Sequence, residues 1–221
     1  MVNMESYISR LTQLLKERFG QRLLYVGLQG SYLRGEADEN SDIDIMVILD
    51  ELTVADMDAY RGVIQGMESY DKSCGFICGE KDLAHWNPLE IRNLLGSTRD
   101  YFGELRDFVP SYSDEDLRNF VKMSLNNLYH ELCHRYIHGD RDRNEEALPF
   151  TYKGVFFILQ NLHCLRTGSF AGTKAALLEV LEGKDRAVLE RSVAMKNGKT
   201  FDFEDSYGLI FSWCQETLRS V

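Results

Sequence analysis

Between Met4 and Gly20 the apolar residues fall at Ile8, Leu11, Leu14, Leu15 and Phe19. That spacing of three and four predicts an amphipathic helix with Gly20 as its stop. The pattern then changes. Leu23–Leu28 is an apolar run too short for a buried helix, and it reads as a buried strand that ends at Gly30-Ser31. A polar stretch leads into Asp42–Leu49, two acids followed by an apolar run, which predicts a second strand. A helix over 53–66 and a third strand over Ser73–Cys78 complete the half. Helices and strands alternating across short loops predict an α/β or α+β domain with helices covering a sheet.

The texture changes after Pro110. Ser113-Asp-Glu-Asp116 is a capping-box start for a long helix running to about His138. The charged segment Asp140–Glu146 reads as a solvated connecting loop, and residues 150–166, 172–183, 185–195 and 205–219 read as four further helices. Nothing after residue 110 reads as a strand. The expected organisation is therefore α+β, with a small sheet domain over 1–110 followed by an all-α helical bundle over 111–221.

Composition narrows the class. The 221 residues are 44% apolar with three prolines, which excludes collagen-like and disordered chains and allows a substantial core. No apolar run approaches the roughly 20 residues that span a bilayer, so no membrane association is expected. The N-terminal helix lacks the apolar block of a signal peptide. Five cysteines, at 74, 78, 133, 164 and 214, form no CxxC pair; a reducing, cytoplasmic setting is the simplest expectation. The net charge is −10, and residues 1–110 carry 19 acidic against 11 basic residues. Such a surface repels phosphate backbones, so stable duplex binding is not expected, whereas a cationic small molecule suits it.

The chemistry lies in Gly27-Leu-Gln-Gly30-Ser31-Tyr-Leu-Arg34-Gly35-Glu-Ala-Asp-Glu-Asn-Ser41-Asp42-Ile-Asp44. A strand ending in Gly-Ser lets backbone N–H groups approach an anion closely, and Ser31 adds a hydroxyl donor. Asp42 and Asp44 stand two apart beside an apolar strand, so period two puts both carboxylates on one face. Two like charges at the edge of a core need a partner; a hard divalent cation, Mg²⁺ with triphosphate oxygens, supplies it.

This segment resembles the signature of the nucleotidyltransferase superfamily that includes DNA polymerase beta and kanamycin nucleotidyltransferase. The match spans residues 24–49. The resemblance implies a small mixed sheet, two Mg²⁺ ions, and transfer of a nucleoside monophosphate from ATP or another triphosphate. It implies that Gly30 and Ser31, with Arg34 and Ser41 beside them, hold the nucleotide, and that Asp42 and Asp44 hold the metals. The family also carries a third carboxylate in the next strand. Here that strand reads Ser-Cys-Gly-Phe-Ile-Cys; Asp71 just before it is the preferred candidate and Glu80 just after it the alternative. The helical half, through Phe156–Gly168 and Lys174-Ala-Ala-Leu, resembles the bundle of aminoglycoside nucleotidyltransferases. That resemblance implies a helix ending at Thr167-Gly168 and Lys174 facing the nucleotide phosphates.

His130-Glu131-Leu-Cys-His134 is a literal H-E-x-x-H, with His138 continuing the stripe. Arg135 directly after it and the lack of an H-E-x-x-H-x-x-G-x-x-H extension argue against a zinc protease. The milder expectation is that Tyr129, His130 and His134 touch the acceptor, against a plain reading as histidines at the edge of a core. The whole predicts an Mg-dependent nucleotidyltransferase acting on a hydroxyl of a small molecule such as an aminoglycoside-like antibiotic. The competing class is a nucleotide-binding regulatory module, catalytically weak for want of the third carboxylate.

Overall fold

The computed structural model describes residues 2–221, which divide into two compact units, one ending at Ser111 and the other beginning at Tyr112. The first is built on a four-stranded sheet of order β3-β2-β1-β4, with β1 Leu23–Leu28, β2 Ile43–Leu49, β3 Ser73–Gly79 and β4 Arg99–Phe102. β1 runs antiparallel to β2 and β4, while β2 and β3 are parallel, so the sheet is mixed. A parallel pair needs a crossover, and α3 Val54–Gln65 supplies it.

Each face of the sheet has its own cover. Ile8, Leu11 and Leu15 of α1 Met4–Phe19 are fully buried and pack, with α3, against Val26, Leu28, Ile43, Ile45 and Val47. Each such side chain contributes about 1.5–3 kcal/mol through the apolar surface it removes from water. The opposite face, carrying Tyr25, Met46, Ile48 and Cys78, is covered by Leu83 of α4 Glu80–Ala84 and by Leu94 and Leu95 of α5 Pro88–Gly96. α4, α5 and β4 are additions to the sequence expectation. α5 carries its own start signal, an Asn87 cap and Pro88 in the first turn.

The second unit is all helix: α6 Asp114–His138, α7 Arg141–Thr167, α8 Lys174–Val180, α9 Gly183–Lys196 and α10 Phe203–Ser220. Its core gathers Leu125, Tyr152, Phe156, Leu159, Leu189, Ile210 and Trp213. One expectation is overturned. Residues 141–146 are the first turns of α7 rather than a loop, and Pro149 lies inside the helix. Asp140 caps the backbone N–H groups of Asp142 and Arg143, and Asn144 is buried, donating to the carbonyl of Arg135 at 2.7 Å. That capping and anchoring outweigh the break that a proline introduces.

Candidate nucleotide site

At one end of the sheet the start of β2, the start of β3 and the end of β1 come together. The β2–β3 register pairs Ile43 with Ser73 and Asp44 with Cys74, and β1 finishes at Leu28 opposite Ile45. The backbone N–H of Gln29 donates to the Asp44 carbonyl at 2.9 Å, and the next residue opens α2, Gly30–Arg34. Gly30 sits at φ +70°, in the left-handed region, and a Cβ on it would run into Oδ2 of Asp44. Both the backbone angle and the neighbour demand glycine. The Gly-Ser turn and the second acid are thus in direct contact.

Asp44 is half-buried and Asp42, immediately ahead of β2, is exposed; they share the face of Met46 and Ile48. The loop that delivers Asp42 is shaped by Ser41. Its hydroxyl donates to Asp38 Oδ1 at 3.1 Å and accepts from the Asp38 N–H at 2.9 Å. Arg34 closes α2 with its Nε donating to Glu36 at 3.2 Å, and Gly35 takes the left-handed cap at φ +68°. The side-chain amide of Gln29 donates to Thr98 at 2.8 Å and so fixes the turn to the approach of β4.

The residue facing Asp44 on β3 is Cys74. Loss of solvation, with the Asp44 and Asp42 carboxylates beside it, pushes the thiol up. Asp71 is exposed in the turn Tyr70–Lys72 ahead of β3, and Lys72 Nζ donates to the carbonyl of Glu39 in the loop leading to Asp42. Glu80 follows Gly79, the partner of Leu49, and so lies at the far end of the strands from Asp44. Six residues at about 3.3 Å each separate the two levels by roughly 20 Å.

Cys74, Gln29 and Thr98 were not signalled by the sequence, because only strand register brings them to the turn. Asp100 is a second acid revealed by register, opposite Gly27. It accepts from the Tyr25 hydroxyl at 2.6 Å, and burial together with that bond raises Tyr25 well above the usual phenol range. Asp100 therefore serves the core. Among the described residues no group of three or more His, Cys, Asp and Glu side chains gathers as a metal cage. Two hard carboxylates beside a glycine-only turn nevertheless suit a cation that takes its remaining ligands from phosphate and water.

Residues 8–101 match the family described as nucleotidyltransferase domain. That match takes in most of the first unit. Over a stretch of 48 residues the chain is 48% identical to the protein adenylyltransferase MntA of Thermococcus cleftensis. That stretch is 22% of this chain and 46% of the relative, so the chain spans about half the length of the curated relative it matches. A crystal structure of spectinomycin adenyltransferase AAD(9) from Enterococcus faecialis, with ATP and spectinomycin, aligns with a TM-score of 0.63. The alignment covers 98% of this chain and 100% of that one at 14% identity, a likeness of fold. A small mixed sheet followed by a mostly helical region is common to the two.

In the helical unit, α7 ends at Thr167 with Gly168 as its left-handed cap, φ +75°. Lys174 is the first residue of α8, with its Nζ 4.9 Å from the centre of the Phe156 ring. Tyr129 is partly buried and stacks on Phe211 at 5.6 Å, so its ring serves the bundle core. His130 and His134 are exposed. Glu131, the would-be base of the H-E-x-x-H stretch, pairs with Arg135 at 3.2 Å and accepts from Thr151 at 3.1 Å. No described helix is long and apolar enough to cross a membrane.

Proposed function

We propose that the chain transfers AMP from ATP to a hydroxyl of a small, cationic acceptor. The observation that carries this reading is the contact between the Gly30-Ser31 turn and Asp44, which joins an anion-binding element to an acid pair. In this reading Gly30 lets the backbone meet the phosphates, Ser31 donates its hydroxyl to a phosphate oxygen, and Ser41 holds the loop of Asp42 in place. Arg34 steadies the exit of the turn through Glu36. Asp42 and Asp44 would hold Mg²⁺, two ions by the family resemblance; bound there, the metal would neutralise phosphate charge and lower the pKa of the acceptor hydroxyl. Asp71 is the proposed third carboxylate.

Two supports bear on donor and acceptor. The MntA relative is named for adenylyl transfer, and the structure sharing the fold holds ATP with spectinomycin. The net charge of −10 favours a cationic acceptor. Tyr129, His130 and His134 are proposed to face that acceptor; His130 and His134 are exposed for the purpose, whereas Tyr129 is partly buried and stacked on Phe211. Lys174 is proposed to meet the triphosphate as a point charge. Lys174→Ala should then weaken ATP binding by about 1.5–3 kcal/mol and leave adenosine binding unchanged, read by calorimetry. Equal ATP affinity in the variant would confine Lys174 to its packing on Phe156.

A second reading has its own observation. The β3 residue facing Asp44 is a cysteine, as in a domain that binds nucleotide and turns it over poorly. Incubation with ATP labelled at the α-phosphate and a panel of aminoglycosides, lincosamides and proteins decides between them. Label on a small cationic acceptor is the expected result. Label on protein would redirect the acceptor class, and tight ATP binding without transfer would favour the regulatory module.

A further inference from the structure

Besides the acceptor contact proposed for His130 and His134, the histidine stripe of α6 has a geometry with a chemistry of its own. His130, His134 and His138 are four residues apart, all exposed, on one face of an α-helix. Their ring centres are 6.0 Å apart for the first pair and 5.1 Å for the second. Two imidazoles bound to one ion, with metal–nitrogen bonds of about 2.0–2.1 Å at an angle between roughly 90° and 110°, have centres about 4.5–5.2 Å apart. The His134–His138 pair already has that separation; the His130–His134 pair needs a side-chain adjustment to reach it.

We propose that His134 and His138 form a bidentate site for a borderline transition-metal cation of the Zn²⁺, Ni²⁺ and Cu²⁺ class, with His130 as an exchangeable neighbour. Exposed imidazoles carry little desolvation cost on coordination, and water completes the shell in keeping with the lack of a three-residue protein cage. Two charged neighbours on the helix, Glu131 and Arg135, are paired with each other. His138 is the last residue of α6, where the negative end of the helix dipole favours a cation. This is a different chemistry from the acid pair of the sheet domain: imidazole selects borderline metals, carboxylate selects Mg²⁺.

The test uses the untagged full chain and metal salts alone. Calorimetry with NiCl₂ and ZnCl₂, and retention on immobilised Ni²⁺, should show one ion bound and elution by dilute imidazole. His134→Ala, which removes the shared ligand of both pairs, should abolish both signals, and His138→Ala should weaken them. Asp42→Asn/Asp44→Asn, His85→Ala and His163→Ala should leave them intact, with circular dichroism confirming the helix content of each variant. Binding that survives His134→Ala, or that vanishes with Asp42→Asn/Asp44→Asn, would overturn the assignment, as would no binding in the wild-type chain.

Discussion

The two units use polar side chains in opposite ways. In the helical unit the inward polar groups serve the fold. The Tyr152 hydroxyl donates to the Ser206 carbonyl at 2.7 Å, and Ser192 donates to the Tyr152 carbonyl at 2.9 Å. Trp213, fully buried, donates its indole N–H to Asp185, which also accepts from Arg166. Each of these bonds joins one helix to another, so these polar groups are absorbed by packing. In the sheet unit polar groups collect at one end of the strands, where Asp42, Asp44 and Cys74 face one another with little that packing requires of them. Side chains whose arrangement makes the fold no more stable are where function is to be sought.

The largest effect expected from this contrast is at the acid pair. Asp42→Asn/Asp44→Asn should lower the proposed adenylyl transfer by at least about 10³-fold, or some 4 kcal/mol of transition-state stabilisation. The melting temperature should hold or rise, because two like charges on one face are removed. A comparable loss of thermal stability would instead make the pair part of the core.

A pair of glycines sharpens the comparison. Gly30 and Gly168 both occupy the left-handed region, at φ +70° and +75°, the first opening α2 and the second capping α7. A Cβ on Gly168 meets nothing within 4 Å, so Gly168→Ala carries only the backbone penalty, about 1 kcal/mol. A Cβ on Gly30 runs into the Asp44 carboxylate as well. Gly30→Ala should therefore cost about 2–3 kcal/mol in chemical denaturation and also displace a proposed metal ligand, abolishing ATP binding. Equal costs for the two substitutions would show that the turn moves aside without disturbing the acid.

Cys74 marks where the sheet site stops short of three acids. Cys74→Asp should lower the stability of the metal-free chain slightly through like-charge repulsion, and should enlarge the stabilisation that Mg²⁺ gives in thermal melts. A tenfold gain in transfer, about 1.4 kcal/mol, is the expected size if the added carboxylate completes the site. An unchanged rate would leave the third-acid role to Asp71.

How much of this could be read along the chain follows from the same contrast. β1, β2 and β3 were visible because buried strands are apolar runs, and the Gly-Ser turn and the acid pair because they lie within one contiguous segment. β4 was invisible: Arg-Asp-Tyr-Phe is four residues long, half of them exposed, and it is a strand only because it pairs with β1. Cys74 facing Asp44 and Asp100 under Tyr25 are products of register, which no local pattern encodes. The start of α7 was missed because the charged run Asp140–Glu146 reads as a solvated loop, whereas the buried Asn144 and the Asp140 cap make it the first turns of the helix. Function was legible where the chain folds back on itself within a few residues, and hidden where strands meet from afar.

The smallest effect compares a device common to both units. α3 and α6 each open with a capping box, Thr53 with Asp56 and Ser113 with Asp116. Asp116 is held below the ordinary carboxylate range by Ser113 alone. Asp56 is held much further below it, first by Arg22, whose Nη1 and Nη2 donate to its two oxygens at 2.7 and 3.0 Å, and then by Thr53. A carboxylate whose folded-state pKa is depressed adds stability that is fully present above its unfolded pKa of about 4 and is lost as the pH falls through the folded value. Asp56→Asn should therefore lower the urea midpoint at pH 7, and its gap to the wild type should close progressively as the pH is taken from 5 to 2. Asp116→Asn should show the same sign with a smaller gap, because no arginine shares its proton-free form. Equal pH dependence in the two variants would mean that the Arg22 ion pair contributes nothing beyond the cap, its half-exposed guanidinium being screened by solvent.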